Sequence, residues 1–306
     1  MKPGSVTYLR ILLTSRCNMA CRFCHREGVS CGGTDLNISV LLDAVEKMHA
    51  LGFAKFKLMG GEPMLYPDLP KVVRALRSRI GNSDLSMISN GTADASRYEE
   101  LLSVGMDRIN ISIHGWTPAF FSLNTGCQSA ICDKIRNTVV TLSEKRLIGK
   151  LNYVVQRDAN ESDFFELLDF AGEKGLAVDA LNLLDSEGLV RSAVKRYSME
   201  EIERLIRSRY IVRETLEVQN RDSLPSRMLK LTNGASVNLK VSELHAECVF
   251  DGCAKCKARA SCVEGIKAIR LTPDGIVQPC LVRSDNVHDL KRGGSVDEIA
   301  AYLKAL

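Results

Sequence analysis

Long apolar runs are missing from this sequence. No stretch approaches the roughly 20 apolar residues that a membrane-spanning helix needs, and Met1 to Tyr8 holds one lysine and no apolar segment. Neither a membrane protein nor an exported one is expected, so the expected location is the cytoplasm. Charge of one sign is also scarce. The formal net charge is only +4, which permits an anionic substrate without calling for nucleic acid. A nucleic-acid binder would show a basic stripe with aromatic platforms, and none is present. The basic run Arg204, Arg207, Arg209 and Arg213 reads as a solvated face. Internal repeats and low-complexity tracts are absent too. What remains is a globular chain of 306 residues, long enough for one large α/β domain with or without a small appendix.

Cysteine is the residue in excess. There are 11: Cys17, Cys21, Cys24, Cys31, Cys127, Cys132, Cys248, Cys253, Cys256, Cys262 and Cys280. An odd number without an export signal argues against a disulfide framework. Two groups lie near opposite ends, and reduced cysteines in tight groups suggest metal or iron–sulfur sites. Cys31, Cys127 and Cys132 read as ordinary residues.

The apolar periodicity alternates between strand and helix. Strands are expected at 6–13, 55–59, 84–89, 108–114, 150–155 and 177–184. Helices are expected at 37–51, 68–79, 96–104, 131–145 and 161–173. Six such units predict a parallel sheet with helices outside and an active site at the C-terminal edge of the strands. Beyond about residue 186 the pattern weakens. A helix is expected at 197–209, mixed charged sequence with short strands at 210–239, and a closing helix at 295–306.

Cys17-Asn-Met-Ala-Cys21-Arg-Phe-Cys24 follows the first strand. Three thiolates can hold three irons of a cubane cluster and leave the fourth iron for an exchangeable ligand. Phe23 could shield such a cluster or pack on an adenine. Two other readings stay open: haem attachment through Cys21-Arg-Phe-Cys24-His25, and a zinc knuckle of three cysteines with His25. Gly60-Gly61-Glu62-Pro63 ends the second strand, where glycines allow close approach of backbone to a ligand and Glu62 could take an ammonium group. Ser89-Asn90-Gly91 and Ser112-Ile113-His114-Gly115 end the next two strands. Their side chains, with Asn152 on the fifth, could bind a carboxylate or ribose hydroxyls.

As a set these motifs resemble the radical S-adenosylmethionine superfamily, over roughly residues 6–184. The resemblance implies a partial (β/α)6 barrel and a [4Fe–4S] cluster with an open iron at Cys17, Cys21 and Cys24. It also implies reductive cleavage of S-adenosylmethionine to a 5′-deoxyadenosyl radical that abstracts a substrate hydrogen. The electron would come from an external donor such as flavodoxin or ferredoxin. Cofactor contacts would be Phe23, Gly60, Gly61, Glu62, Pro63, Ser89, Asn90, Ser112, His114 and Asn152.

In the second group, Pro273-Asp274-Gly275 lies between two short apolar runs and reads as a hairpin that returns Cys280 toward Cys262. Cys253, Cys256, Cys262 and Cys280 could then complete a four-thiolate site, for zinc or for a cluster; Cys248 could replace one of them. The region resembles the small twitch-like auxiliary-cluster domain of the same superfamily, which implies a second [4Fe–4S] cluster. The resulting division is a core at 1–186, a linking segment at 187–247, an auxiliary domain at 248–290 and a closing helix at 291–306.

Within the superfamily the chain resembles the GTP 3′,8-cyclase family of molybdenum cofactor synthesis, in Cys24-His-Arg-Glu-Gly28, in 58–65 and in Ile269-Arg-Leu-Thr-Pro-Asp-Gly275. The resemblance implies substrate contacts at Lys55, Lys57 and Arg270. The departures are Ala268 in place of an arginine, Tyr66 in place of a basic residue, His114 in place of an aspartate, and an end at Leu306 without the family's Gly-Gly tail. The expected substrate is a small molecule such as a nucleotide, nucleoside or sugar derivative. GTP, a peptide, and a non-catalytic cluster-binding role are the alternatives.

Overall fold

The computed structural model describes residues 7–26, 32–183, 195–219, 225–240, 256, 268–280, 287–290 and 298. The chain runs β1 (Tyr8–Leu12), α1 (Ile38–Ala50), β2 (Lys55–Met59), α2 (Leu69–Ile80), β3 (Asp84–Ser89), α3 (Ala95–Ser103) and β4 (Arg108–Ile113). It continues with α4 (Pro118–Thr125), α5 (Ser129–Glu144), β5 (Ile148–Val154), β6 (Gln156–Arg157), α6 (Glu161–Lys174), β7 (Ala177–Leu181), β8 (Lys195–Arg196) and α7 (Met199–Arg209). The remaining strands are β9 (Val212–Val218), β10 (Ser226–Leu231), β11 (Ser236–Lys240), β12 (Ile269–Leu271), β13 (Ile276–Gln278) and β14 (His288–Asp289).

The expected six parallel strands stand side by side in the order β1-β2-β3-β4-β5-β7. The sheet continues past both edges. β12 pairs parallel with β1, and β13 and β14 follow antiparallel. On the other edge β11 pairs parallel with β7, and β10 and β9 follow antiparallel. The hairpin expected around Pro273-Asp274-Gly275 is β12–β13, with Arg270 opposite Gln278. The 295–306 helix lies outside the described residues except for Glu298. Among the described residues no helix is long and apolar enough to cross a membrane.

The strands alternate strictly in chemistry, and this decides where the core sits. Leu9, Ile11, Phe56, Leu58, Leu85, Met87, Ile109, Ile111, Leu151 and Val178 belong to the core that α1, α2 and α6 share. Burying such a side chain contributes about 1.5–3 kcal/mol each, so this face fixes the register. Arg10, Lys55, Lys57, Ser86, Arg108, Asn110, Lys150 and Asn152 occupy the alternate positions. The interior of the partial barrel is therefore polar.

Helix ends follow local chemistry. Asn37 caps α1 by accepting from the Ser39 and Val40 amides, and Ser198 and Glu201 form a reciprocal capping box at α7. Helix α4 has no counterpart in the sequence expectations. It starts with Pro118 in its first turn and stops at Gly126, whose φ of 72° is left-handed. Asp163 ties the entry to this helix onto the sheet, accepting from Trp116 N at 2.7 Å, Thr117 N at 2.6 Å and Tyr153 Oη at 2.6 Å.

Candidate active site

The loop carrying Cys17, Cys21 and Cys24 leaves β1 at the C-terminal edge of the sheet, and the glycine turn after β2 is zipped onto it. Gly61 N donates to Thr14 O at 2.7 Å and Glu62 N to Arg16 O at 2.8 Å. The Arg16 guanidinium grips Asp35 at 3.1 and 2.7 Å and donates to Leu65 O at 2.9 Å. A Cβ on Gly60 would stand 2.5 Å from Thr14 O, and one on Gly61 would stand 2.0 Å from Arg16 O. Gly60 also sits at a φ of 145°. The two glycines are needed here for contact with the cysteine loop itself, closer than the ligand approach inferred from sequence.

Two expected ligand contacts are placed differently. Glu62 is 1% exposed, and both its oxygens are already used. Oε1 accepts from Met64 N at 3.0 Å and Ser89 Oγ at 2.7 Å, and Oε2 accepts from Asn90 N at 2.7 Å. Burial pushes its pKa up to about 7 against these hydrogen bonds, which favour the carboxylate. Glu62 therefore ties the ends of β2 and β3 together instead of offering its side chain to an ammonium group. Ser89 shares the helix-facing side of β3 with Leu85 and Met87. Its hydroxyl lies between Glu62 and Tyr98 Oη, 2.7 Å from each, so it does not face the interior. Pro63 is buried in the 3-10 turn Pro63–Leu65.

Of the other expected residues, Asn90 and His114 meet the cysteine loop, while Ser112 and Asn152 are neighbours on adjacent strands. Asn90 Nδ2 donates to Asn18 Oδ1 at 2.8 Å, and Asn18 Nδ2 donates to Thr92 Oγ1 at 2.9 Å. Phe23 lies with its ring centroid 5.4 Å from that of His114. Burial pulls the His114 pKa down to about 4, so the ring is neutral, and its buried Nδ1 has no hydrogen-bond partner. Ser112 and Asn152 are register neighbours, with Asn152 Nδ2 3.4 Å from Ser112 Oγ. Cys127, taken from sequence as an ordinary residue, lies against the loop with Sγ 3.5 Å from Asn18 O.

Burial pushes Cys21 far above the ordinary thiol range, and Cys24, Cys17 and Cys127 add to the effect; burial also raises Cys17. Among the described residues no three ligating side chains close on a single ion. Cys17 and Cys24 are exposed and Cys21 half-buried on one loop, and three thiols are the donor type that an iron–sulfur cluster takes. Of the second group, Cys256 and Cys280 are half-buried, while Cys253 and Cys262 lie outside the described residues.

Below the loop a lateral row crosses five strands: Arg270 beside Arg10, Arg10 beside Lys57, Lys57 beside Ser86, Ser86 beside Arg108. The Tyr8 ring lies 5.4 Å from the ammonium groups of both Lys55 and Lys57 and 5.7 Å from the Arg10 guanidinium. Burial and then the charge of Arg10, Lys150, Arg108 and Lys55 pull Lys57 down to about 7. Arg108 is balanced by Asp84 at 2.6 Å, and Lys150 by Asp179. All three sequence-expected substrate contacts, Lys55, Lys57 and Arg270, are in this cluster. Sequence inspection missed Arg10, Tyr8 and Arg108, although their positions two apart on alternating strands were the available signal.

Comparison with known proteins gives the same picture. The model of the Radical SAM superfamily matches residues 11–171. A probable GTP 3′,8-cyclase of Thermoplasma volcanium is 31% identical over 96% of this chain and 85% of its own length. One of Methanothermobacter thermautotrophicus is 26% identical over 94% and 88%. Among solved structures, Streptococcus suis SuiB bound to S-adenosylmethionine superposes with a TM-score of 0.67 at 15% identity. That likeness covers 97% of this chain and 66% of SuiB. Native anSMEcpe with bound AdoMet gives 0.52 at 18% identity, over 66% of this chain and 59% of that one. The superfamily match takes in more than half of the chain, beginning on the strand that delivers the cysteine loop, and so this chain belongs to the Radical SAM superfamily and is an S-adenosylmethionine-dependent radical enzyme.

Proposed function

We propose that this enzyme abstracts hydrogen from a phosphate-bearing small molecule of the nucleotide class, with GTP the first candidate. The observation that carries this is the lateral cation row Arg270–Arg10–Lys57 with Lys55 beside it on the polar face of the sheet, where Lys57 is desolvated. Basic side chains that converge from three neighbouring strands suit a phosphate-bearing ligand, which Lys and Arg both bind well. Tyr8 Oη and Ser86 Oγ, both buried and without a hydrogen-bond partner in the structure, add neutral contacts beside the cations. The name shared by the archaeal relatives supports the same substrate class.

A [4Fe–4S] cluster held by Cys17, Cys21 and Cys24 would supply the electron that splits S-adenosylmethionine into methionine and a 5′-deoxyadenosyl radical. The chain's own residues do the rest. Gly60 and Gly61 seat the cysteine loop, Phe23 and His114 wall the side next to it, and Ser112 and Asn152 offer polar contacts to the cofactor at the strand ends. The cations hold the substrate anion toward the opposite end of the strands. Their spacing along the barrel interior separates the anchored phosphate from the reacting carbon. A second cluster at Cys253, Cys256, Cys262 and Cys280 fits the four-thiolate count, with structural zinc as the competing occupant.

One observation favours a nucleotide or sugar phosphate other than GTP. Tyr66, in place of a basic residue, is 7% exposed and donates its hydroxyl to Leu36 O at 2.5 Å, so no substrate contact arises there. Anaerobic reconstitution with a strong reductant and S-adenosylmethionine separates these readings. Loss of GTP with 5′-deoxyadenosine rising only in its presence supports GTP. Deoxyadenosine indifferent to GTP but stimulated by another nucleotide or sugar phosphate supports the second reading. Deoxyadenosine stimulated by none of them refutes the proposal. About eight irons per chain would support two cubanes, and about four irons with bound zinc would support the alternative at the second site.

A further inference from the structure

Helix α4 ends against the cysteine loop. The last carbonyls of a helix lack intrahelical donors, and here they are satisfied from outside. Asn124 O accepts from Arg22 N at 2.9 Å, and Thr125 O accepts from Ala20 N at 3.0 Å. Both amides belong to the loop between Cys17 and Cys24. The Asn124 side chain reaches a different element. Its Nδ2 donates to His114 O at 2.7 Å, past the end of β4, while Oδ1 lies 3.5 Å from Gln156 Nε2 past the end of β5. Asn124 is 1% exposed. A buried amide is retained at a cost unless its hydrogen bonds matter, and these two join the strand ends that flank the cofactor site. The His114 ring whose backbone is held in this way meets Phe23 of the cysteine loop, and its buried Nδ1 is without a partner.

We propose that Asn124 is a positioning residue for S-adenosylmethionine: it locks the cysteine loop and the His114 end of β4 into one body, so that a cofactor bound at the loop meets His114 in a fixed geometry. This rests on the cofactor site described above and not on the identity of the substrate, and its test is run without substrate. Asn124→Leu keeps the branching at Cγ in a larger side chain and removes both side-chain hydrogen bonds. Asn124→Asp keeps the acceptor toward Gln156 and removes the donor toward His114 O. Thr138→Val is the control, since it removes another buried hydrogen bond, Thr138 Oγ1 to Ala93 O at 3.1 Å, that involves neither the cysteine loop nor His114.

The reconstituted variants are compared by iron content, by equilibrium binding of S-adenosylmethionine, and by the electron paramagnetic resonance spectrum of the reduced cluster with and without the cofactor. Expected are normal iron loading, binding weakened by about tenfold or more in both Asn124 variants, and a diminished spectral response to the cofactor, with Thr138→Val like the parent. Unchanged binding and spectra in the Asn124 variants, or equal changes in the control, would overturn the proposal. If neither variant loads iron, hydrogen exchange on the unmodified holoenzyme decides. The cofactor should then slow exchange jointly at residues 18–24 and 114–126, and protection confined to 18–24 would overturn it.

Discussion

Lys57 and Glu62 are both buried acid–base groups, yet their chemistry points in opposite directions. Lys57 has a folded pKa lowered to about 7. Between about 7 and its ordinary value of 10.5 the unfolded chain therefore binds more protons than the folded one, and stability rises with pH through that window. Lys57→Met should raise the melting temperature of the ligand-free protein at pH 7.5 by roughly 2–4 °C and flatten the rise above it. The same variant should lose most stabilisation by inorganic triphosphate, which scanning fluorimetry at several pH values would show. Glu62 has a folded pKa raised to about 7, so stability falls as pH climbs from about 4.5 to about 7. Glu62→Ala leaves the Met64 and Asn90 amides and the Ser89 hydroxyl without their acceptor. It should cost about 2–4 kcal/mol in chemical denaturation of the cluster-free chain. Ser89 also marks where sequence inspection stopped short. A serine at a strand end looks ligand-directed, but its parity with Leu85 and Met87 assigns it to the core side.

At the scale of elements, the glycine turn and the cysteine loop are one unit, because their backbones pair directly. Gly61→Ala would drive a Cβ to 2.0 Å from Arg16 O, where only backbone can yield. Reconstituted Gly61→Ala should bind far less iron at the first site, with cysteine loop amides exchanging faster. Gly52→Ala, with φ +94° and nothing within 4 Å of the added Cβ, should cost only the modest strain of that dihedral and keep its iron. The first six strands and their helices were legible because one face of each strand is apolar and the alternation is regular. Helix α4 was not, since its buried residues are Phe121, Asn124 and Thr125 and form no apolar stripe. Strands β9 to β11 were only partly legible. β9 is mostly exposed along its length, so neither face of it carries the alternation that marks a half-buried strand.

For the whole molecule, the sheet joins the ends of the chain. β12 brings Arg270 beside Arg10, a pairing across about 260 residues that no local pattern announces. Motif spacing pointed to one edge of the sheet because the motifs follow successive strands. The proposed substrate floor draws on β12 as well, and that strand's part in it is visible only through the register. Arg270→Met should consequently weaken binding of a nucleoside triphosphate by about tenfold or more, with S-adenosylmethionine binding unchanged, as titration calorimetry would read. The account's central claim is that this enzyme directs a 5′-deoxyadenosyl radical at a nucleotide held on that floor. Mass analysis of 5′-deoxyadenosine formed with ribose-deuterated GTP tests it most directly. The account predicts one deuterium gained by the product, in a yield that depends on GTP. Deoxyadenosine that stays unlabelled and forms equally without GTP would contradict it.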